Sequence, residues 1–169
     1  MLNILNKILG GNKSEKDVKK LDPQVVQINS FYTQYQNLSN DELRGKTDEF
    51  RQRIKEHLIE IDEIISTKKT EAEQLPEEEM NLRDTLYKEI DELKKDRDKK
   101  IEEILLEILP EAFAVVKETA HRFKDNTELV STATQLDRDL SVTKDYIKIN
   151  GDKSVFQNSW IAGGSLVTW

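Results

Sequence analysis

Apolar residues recur at helical intervals along most of this chain. Leu2, Leu5, Ile8 and Leu9 share one face of a turn that Gly10-Gly11 closes. Ser14 and Asp17, three apart, resemble a capping box that opens a second helical stretch. Pro23 is tolerated only near a helix start or break, which places the regular helix after it, with Val25, Ile28, Tyr32 and Tyr35 as its apolar face. The sharpest local signal is Leu38-Ser-Asn-Asp-Glu-Leu43. Ser39 can cap the Glu42 amide, Glu42 can reach back, and Leu38 and Leu43 can close a hydrophobic staple.

From there Leu43, Thr47, Phe50, Ile54, Leu58, Ile61 and Ile65 form one stripe at steps of three and four, predicting a long amphipathic helix. Thr67 to Leu75 interrupts it, and Pro76 followed by Glu77, Glu78 and Glu79 reads as a new helix start. The stripe resumes at Leu86, Ile90, Leu93, Ile101, Ile104, Leu105 and Ile108, with Arg97 as a polar gap. Two arms of about 30 residues, each about 45 Å long, joined by a short connection predict a protruding antiparallel, coiled-coil-like hairpin with its tip near Lys68 to Pro76. Pro110 is expected to kink or break the second arm, and a shorter apolar helix follows through Phe113, Val115, Val116 and Ala120 to Phe123.

Residues 125–143 are polar and Thr/Asp-rich, which predicts a loop containing at most a short helix. Tyr146 to Ile149, Asn150-Gly151 and Val155-Phe156 read as a β-hairpin, with a further β excursion around Trp160 to Trp169. The fold class expected is mainly α: a long helical hairpin on a small helical base, with a short C-terminal β-hairpin region.

Charge changes this picture in one respect. Of the net −7, residues 55–107 carry 18 acidic and 10 basic side chains, a balance of −8, so the acidity belongs to the hairpin. Nucleic acid is therefore not an expected partner of the whole chain. The beginning is the only locally basic stretch, with Lys7, Lys13, Lys16, Lys19 and Lys20. The absence of cysteine excludes disulfides and thiolate metal sites. No apolar run reaches the roughly 20 residues that span a bilayer, and the start lacks a signal-peptide cleavage site.

Candidate chemistry is sparse. Glu118-Thr-Ala-His121 has the Glu-x-x-His spacing of a di-metal carboxylate site, but a second such pair is missing, since the other histidine is His57. Gly151-Asp-Lys-Ser154 has an Asp between Gly and Lys and Tyr146 where an upstream Gly is needed, which excludes a phosphate loop; Gly163-Gly164-Ser165 reads as a turn. The interleaved Glu and Lys of the hairpin form a solvated face. These residues describe a helical interaction segment without a visible active site. Catalytic, cofactor-binding and metal-binding residues are accordingly expected to be none.

Three stretches go further. Leu38 to Ile54, Ile108-Leu-Pro-Glu-Ala-Phe-Ala-Val-Val-Lys-Glu-Thr-Ala-His-Arg-Phe123 and the opening Leu-Asn-Lys-Ile-Leu-Gly-Gly-Asn-Lys-Ser-Glu-Lys16 resemble, in order, the N-terminal helices of SecA, the ATPase that drives preproteins through the bacterial Sec channel. The resemblance divides the chain into N-terminal SecA-type helices (1–54), an inserted charged hairpin of 53 residues (55–107), the Leu-Pro-Glu-Ala-Phe helix (108–124) and a loop and β-hairpin insertion (125–169). The chain is expected to be truncated before the family's Asp-Val-Gln-Leu and Gly-Glu-Gly-Lys-Thr segments. What the resemblance implies for the parent protein is a motor that uses ATP and Mg, is cytoplasmic and peripheral at the inner membrane, and partners the Sec channel and preproteins. It also implies that the N-terminus, through Leu2, Leu5, Lys7, Ile8 and Leu9, contacts anionic lipid, the channel or a second copy in a homodimer. The alternative is a free-standing adaptor that binds a partner protein through the acidic coil.

Overall fold

The computed structural model describes residues 13–169, with side chains from residue 17. Leu2, Leu5, Lys7, Ile8, Leu9 and the Ser14 side chain lie outside the described residues. The molecule is mainly α. Helix α1 spans Lys13–Tyr35, α2 spans Asn40–Gln74, a single 3₁₀ turn Glu77–Glu79 follows, and α3 spans Met80–Asp125. Then come β1 (Glu128–Thr132), α4 (Gln135–Ser141), β2 (Ile147–Asn150), β3 (Lys153–Gln157), β4 (Ser159–Ala162) and β5 (Ser165–Thr168).

The chain forms two compact units, one running up to Leu43 and resuming at Pro110–Trp169, the other being Arg44–Leu109. In the second, α2 and α3 pack antiparallel through Leu58, Ile61, Ile65 and Ile90, with Ile54, Leu93 and Ile101 against them. Ion pairs join the arms, among them Arg53 to Glu107 at 2.8 Å, Asp62 to Arg97 at 2.5 Å, and Lys68 to Glu89 at 2.5 Å. The outer faces carry pairs three residues apart, such as Asp91–Lys94, Glu92–Lys95 and Asp96–Lys99. The stripe's interruption at Thr67 does not end the helix, because α2 continues to Gln74 and buries Ala72. Pro76 does act as the expected start, preceding the 3₁₀ turn, and Arg83 donates back to the Leu75 carbonyl.

In the first unit, Tyr35, Leu43 and Ala114 form the core, with Ile28, Phe31, Tyr32, Leu38 and Val115 against them. The capping box forms as expected: Ser39 N donates to Glu42 Oε2 at 2.7 Å and Glu42 N to Ser39 Oγ at 3.2 Å. One expectation about proline needs correction: helix α1 runs through Pro23 rather than starting after it. Helix α3 also runs through Pro110, so of the kink or break expected there the break does not occur. Each proline deprives one carbonyl of its amide, that of Lys19 or Leu106. Both Lys19 and Leu106 are exposed, so water can serve those carbonyls, while burial of Ile108, Pro110 and Ala114 holds α3 on course.

The region read as a loop with a short helix contains that helix, α4, and also a strand, β1. Strand β1 joins the expected β2–β3 hairpin to give a three-stranded antiparallel sheet of order β1-β3-β2, with Val130 opposite Val155 and Lys148 opposite Val155. Asn150 pairs with Lys153, so Gly151 and Asp152 form the two-residue turn, and Gly151 takes φ 62. Strands β4 and β5 form a separate hairpin about Gly163-Gly164, in which Trp160 faces Val167.

Candidate interaction site

The end of α3 gathers the polar groups of the first unit. Glu118 and Arg122 are four residues apart, hence on one face, and Glu118 is only 3% exposed. Arg122 Nε donates to Glu118 Oε1 at 2.7 Å, and Nη1 to Asn40 Oδ1 at 2.7 Å. Its Nη2 donates to the carbonyls of Leu38 at 2.7 Å and Tyr35 at 3.1 Å. The Tyr35 carbonyl ends α1, where intrahelical donors run out, and the Leu38 carbonyl lies in the connection to α2, so the guanidinium caps α1 while fixing the start of α2. Asn40 Nδ2 then donates to the Val130 carbonyl at 2.9 Å, and Asp41 accepts from Thr132 N at 2.7 Å and Thr132 Oγ1 at 2.8 Å. One arginine thus connects the end of α3 to the α1–α2 junction, and that junction holds β1.

His121 sits beside this node, its Nε2 3.0 Å from Asp125 Oδ2 and its Nδ1 3.7 Å from Glu118 Oε2. Its ring meets Tyr32 edge-on, and Lys117 Nζ lies 4.2 Å from the Tyr32 ring centroid. The Glu-x-x-His pair therefore belongs to a salt-bridged helix end: Arg122 holds Glu118 Oε1, while Oε2 is buried without a hydrogen-bond partner. Among the described residues no group of three or more His, Cys, Asp or Glu converges as metal ligands would.

Next to Arg122 on α3, Phe123 stacks on Trp169 with ring centroids 5.7 Å apart, and Trp160 meets Trp169 edge-on at 6.1 Å. With Tyr146, Phe156 and Gln157 these rings line a recess of about 240 Å³. It offers mostly flat aromatic surface, with the Gln157 amide, the Tyr146 phenol and the indole N–H groups as its polar groups, so it can hold an apolar side chain. Under the three-stranded sheet, Ser154 is fully buried, donates to Asp137 Oδ2 at 3.2 Å and lies 3.1 Å from Ser131 Oγ. Asp137 is also the partner of Thr134 in the capping box of α4, so this serine–acid cluster fastens α4 to the sheet.

The nucleotide implied by the family does not fit either glycine segment. Gly151-Asp-Lys-Ser154 is the β2–β3 turn, with Lys153 Nζ on Thr132 Oγ1 at 3.1 Å and Ser154 turned inward. Gly45-Lys46-Thr47 matches the last three letters of a phosphate loop but lies inside α2, with Lys46 paired to Glu49 at 2.6 Å. Amides within a helix are already bonded and cannot cradle phosphate. Sequence reasoning missed Arg122, whose neighbour His121 drew attention through Glu118. Arg122's partners Asn40 and Leu38 are 82 and 84 residues away, and no linear spacing signals them.

A family model for the SecA DEAD-like domain matches residues 5–137, which places the chain in the class of DEAD-like domains. Three curated relatives, each a protein translocase subunit SecA, agree. That of Flavobacterium psychrophilum is 45% identical over 168 residues, covering 99% of this chain and 15% of the relative. That of Parabacteroides distasonis is 41% identical over 95% of this chain and 14% of the relative, and that of Amoebophilus asiaticus 41% over 100% and 15%. The chain belongs to the SecA family, and it spans about 15% of the length of these relatives. No solved structure matches it.

Proposed function

We propose that these 169 residues form the N-terminal part of a SecA-type motor that exports preproteins through the Sec channel at the expense of ATP. In that motor they act as a structural and interaction region. The observation that carries this reading is similarity to translocase subunits extending over 95–100% of the chain rather than over one motif. Within it, residues 1–54 and 108–124 are the SecA-type helices, 55–107 an inserted hairpin, and 125–169 a second insertion. The parent protein works at the cytoplasmic face of the inner membrane, with ATP and Mg bound by segments other than these. Leu2, Leu5, Lys7, Ile8 and Leu9 contact anionic lipid, the channel or a second copy.

Two measurements test this. Isothermal titration of the 169-residue chain with Mg-ATP is expected to show no saturable heat, because neither Gly-Lys segment opens a helix: the one at Gly151 is a strand turn and the one at Gly45 lies inside α2. A longer chain continuing through the relatives' remaining length is expected to import a preprotein into inverted inner-membrane vesicles only when ATP is present. Micromolar nucleotide binding by the short chain contradicts the interaction-region reading. A longer chain that moves no preprotein contradicts the motor reading.

A further inference from the structure

The apolar seam between α2 and α3 is interrupted by one residue. On α3 it runs Leu86, Ile90, Leu93, then Arg97, then Ile101, Ile104 and Ile108. Arg97 occupies a seam position, and its guanidinium leaves sideways to meet Asp62, with Nε to Oδ1 at 2.5 Å and Nη2 to Oδ2 at 3.2 Å. The contact is two-pointed, as a planar fork on a carboxylate should be. Arg53–Glu107 and Lys68–Glu89 flank it in the same antiparallel alignment.

A seam of Ile and Leu does not by itself choose an alignment, because sliding one arm by a heptad returns apolar positions to apolar positions. The charges do choose. Moving α3 seven residues one way sets Arg97 opposite Lys69 and Asp62 opposite Ile104. Moving it the other way sets Arg97 opposite Lys55, Asp62 opposite Ile90 and Arg53 opposite Lys100. Either slip exchanges an ion pair for a contact between cations and leaves a carboxylate against isoleucine. We infer that Arg97 and Asp62 specify the register of the two arms, acting as a polar layer that selects one alignment among several the apolar seam would accept.

The chain has no cysteine, so Glu60→Cys and Asp84→Cys, both at exposed positions, carry spin labels at two sites only. In the observed register Glu60 lies opposite residue 99, which puts Asp84 about 22 Å away along the axis, and a one-heptad slip changes that offset by about 10 Å. Electron–electron distance measurement on the full chain is expected to give one distance. Asp62→Leu with Arg97→Leu is expected to add a second population displaced by that amount, while the thermal midpoint stays level or rises, since apolar residues replace a partly desolvated pair. Arg97→Asp sets like charges together in the observed register and rewards both slips with a new pair to lysine, so the displaced distance is expected to dominate. One unshifted distance in the double-leucine chain overturns the inference, whatever the Arg97→Asp chain does.

Discussion

Arg122 is the side chain on which the first unit most depends. Its guanidinium donates to a buried carboxylate, a side-chain amide and two carbonyls, one at the end of α1 and one in the α1–α2 connection. Arg122→Ala removes all four contacts and leaves Glu118, 3% exposed, as a buried carboxylate without its cation. Loss of one partner of such a pair costs about 3–5 kcal/mol, so urea unfolding should show a large drop in midpoint. Arg122→Lys keeps the charge but not the fork, and is expected to recover only part of that loss. Asp62 gives a different signature. The hydrogen bond from Arg97 holds its carboxyl below the ordinary 3.8. A lowered folded-state pKa contributes stability above the unfolded value and loses it as pH falls through the folded one. The thermal midpoint should therefore decline below about pH 4, more steeply than in Asp62→Asn, and modestly, because the pair is half-exposed.

At the scale of elements, two glycines are expected to answer the same substitution with opposite signs. Gly45 lies inside α2 with nothing within 4 Å of an added Cβ, so Gly45→Ala should stabilise by about 0.5–1 kcal/mol. Gly151 is equally uncrowded but sits at φ 62, where a Cβ strains the backbone, so Gly151→Ala should destabilise by about 1–2 kcal/mol. Chemical denaturation of both variants checks the pair. The long helices were legible because their stripes are period-3.6 and their caps are local: Ser39 and Glu42 need nothing beyond themselves. Continuity through Pro23 and Pro110 was not legible, because local propensity says break, and only solvent access to Lys19 and Leu106 and burial of Ala114 say otherwise. Strand β1 escaped notice for a related reason. Its buried position is Ser131, a polar residue satisfied by Ser154 in another strand, so the alternation that betrays a strand is missing. The hub around Arg122 was illegible because only its Glu118 contact is local, while Asn40, Leu38 and Tyr35 lie more than 80 residues away in sequence.

For the molecule as a whole, the charge is segregated. Residues 55–107 carry −8, and the remainder is close to neutral, with its one locally basic stretch at the start. The opening stretch is therefore expected to bind anionic vesicles weakly and in a salt-sensitive way, at about 1 kcal/mol per basic residue near the surface. In liposome sedimentation, Leu5→Asp with Ile8→Asp should abolish binding at low salt, and 0.5 M salt should weaken the natural chain. Unchanged sedimentation of the double variant removes lipid from the proposed partners.

The core that joins Tyr35 and Leu43 to Ala114 also sets a timetable. A ribosome delivers residues in order, at about 5–20 per second. Leu43 is made about 70 residues before Ala114, so Ile28, Tyr32 and Leu43 wait several seconds with their partner still untranslated. During that interval α2 and the first turns of α3 can pair with each other, since all their contacts lie within the stretch already synthesised. The hairpin is thus born early and the unit around its two ends late. A pause in translation between codons 80 and 110 would lengthen the time for which the first helix stands without a mate, and a chaperone acting there would find it by that face.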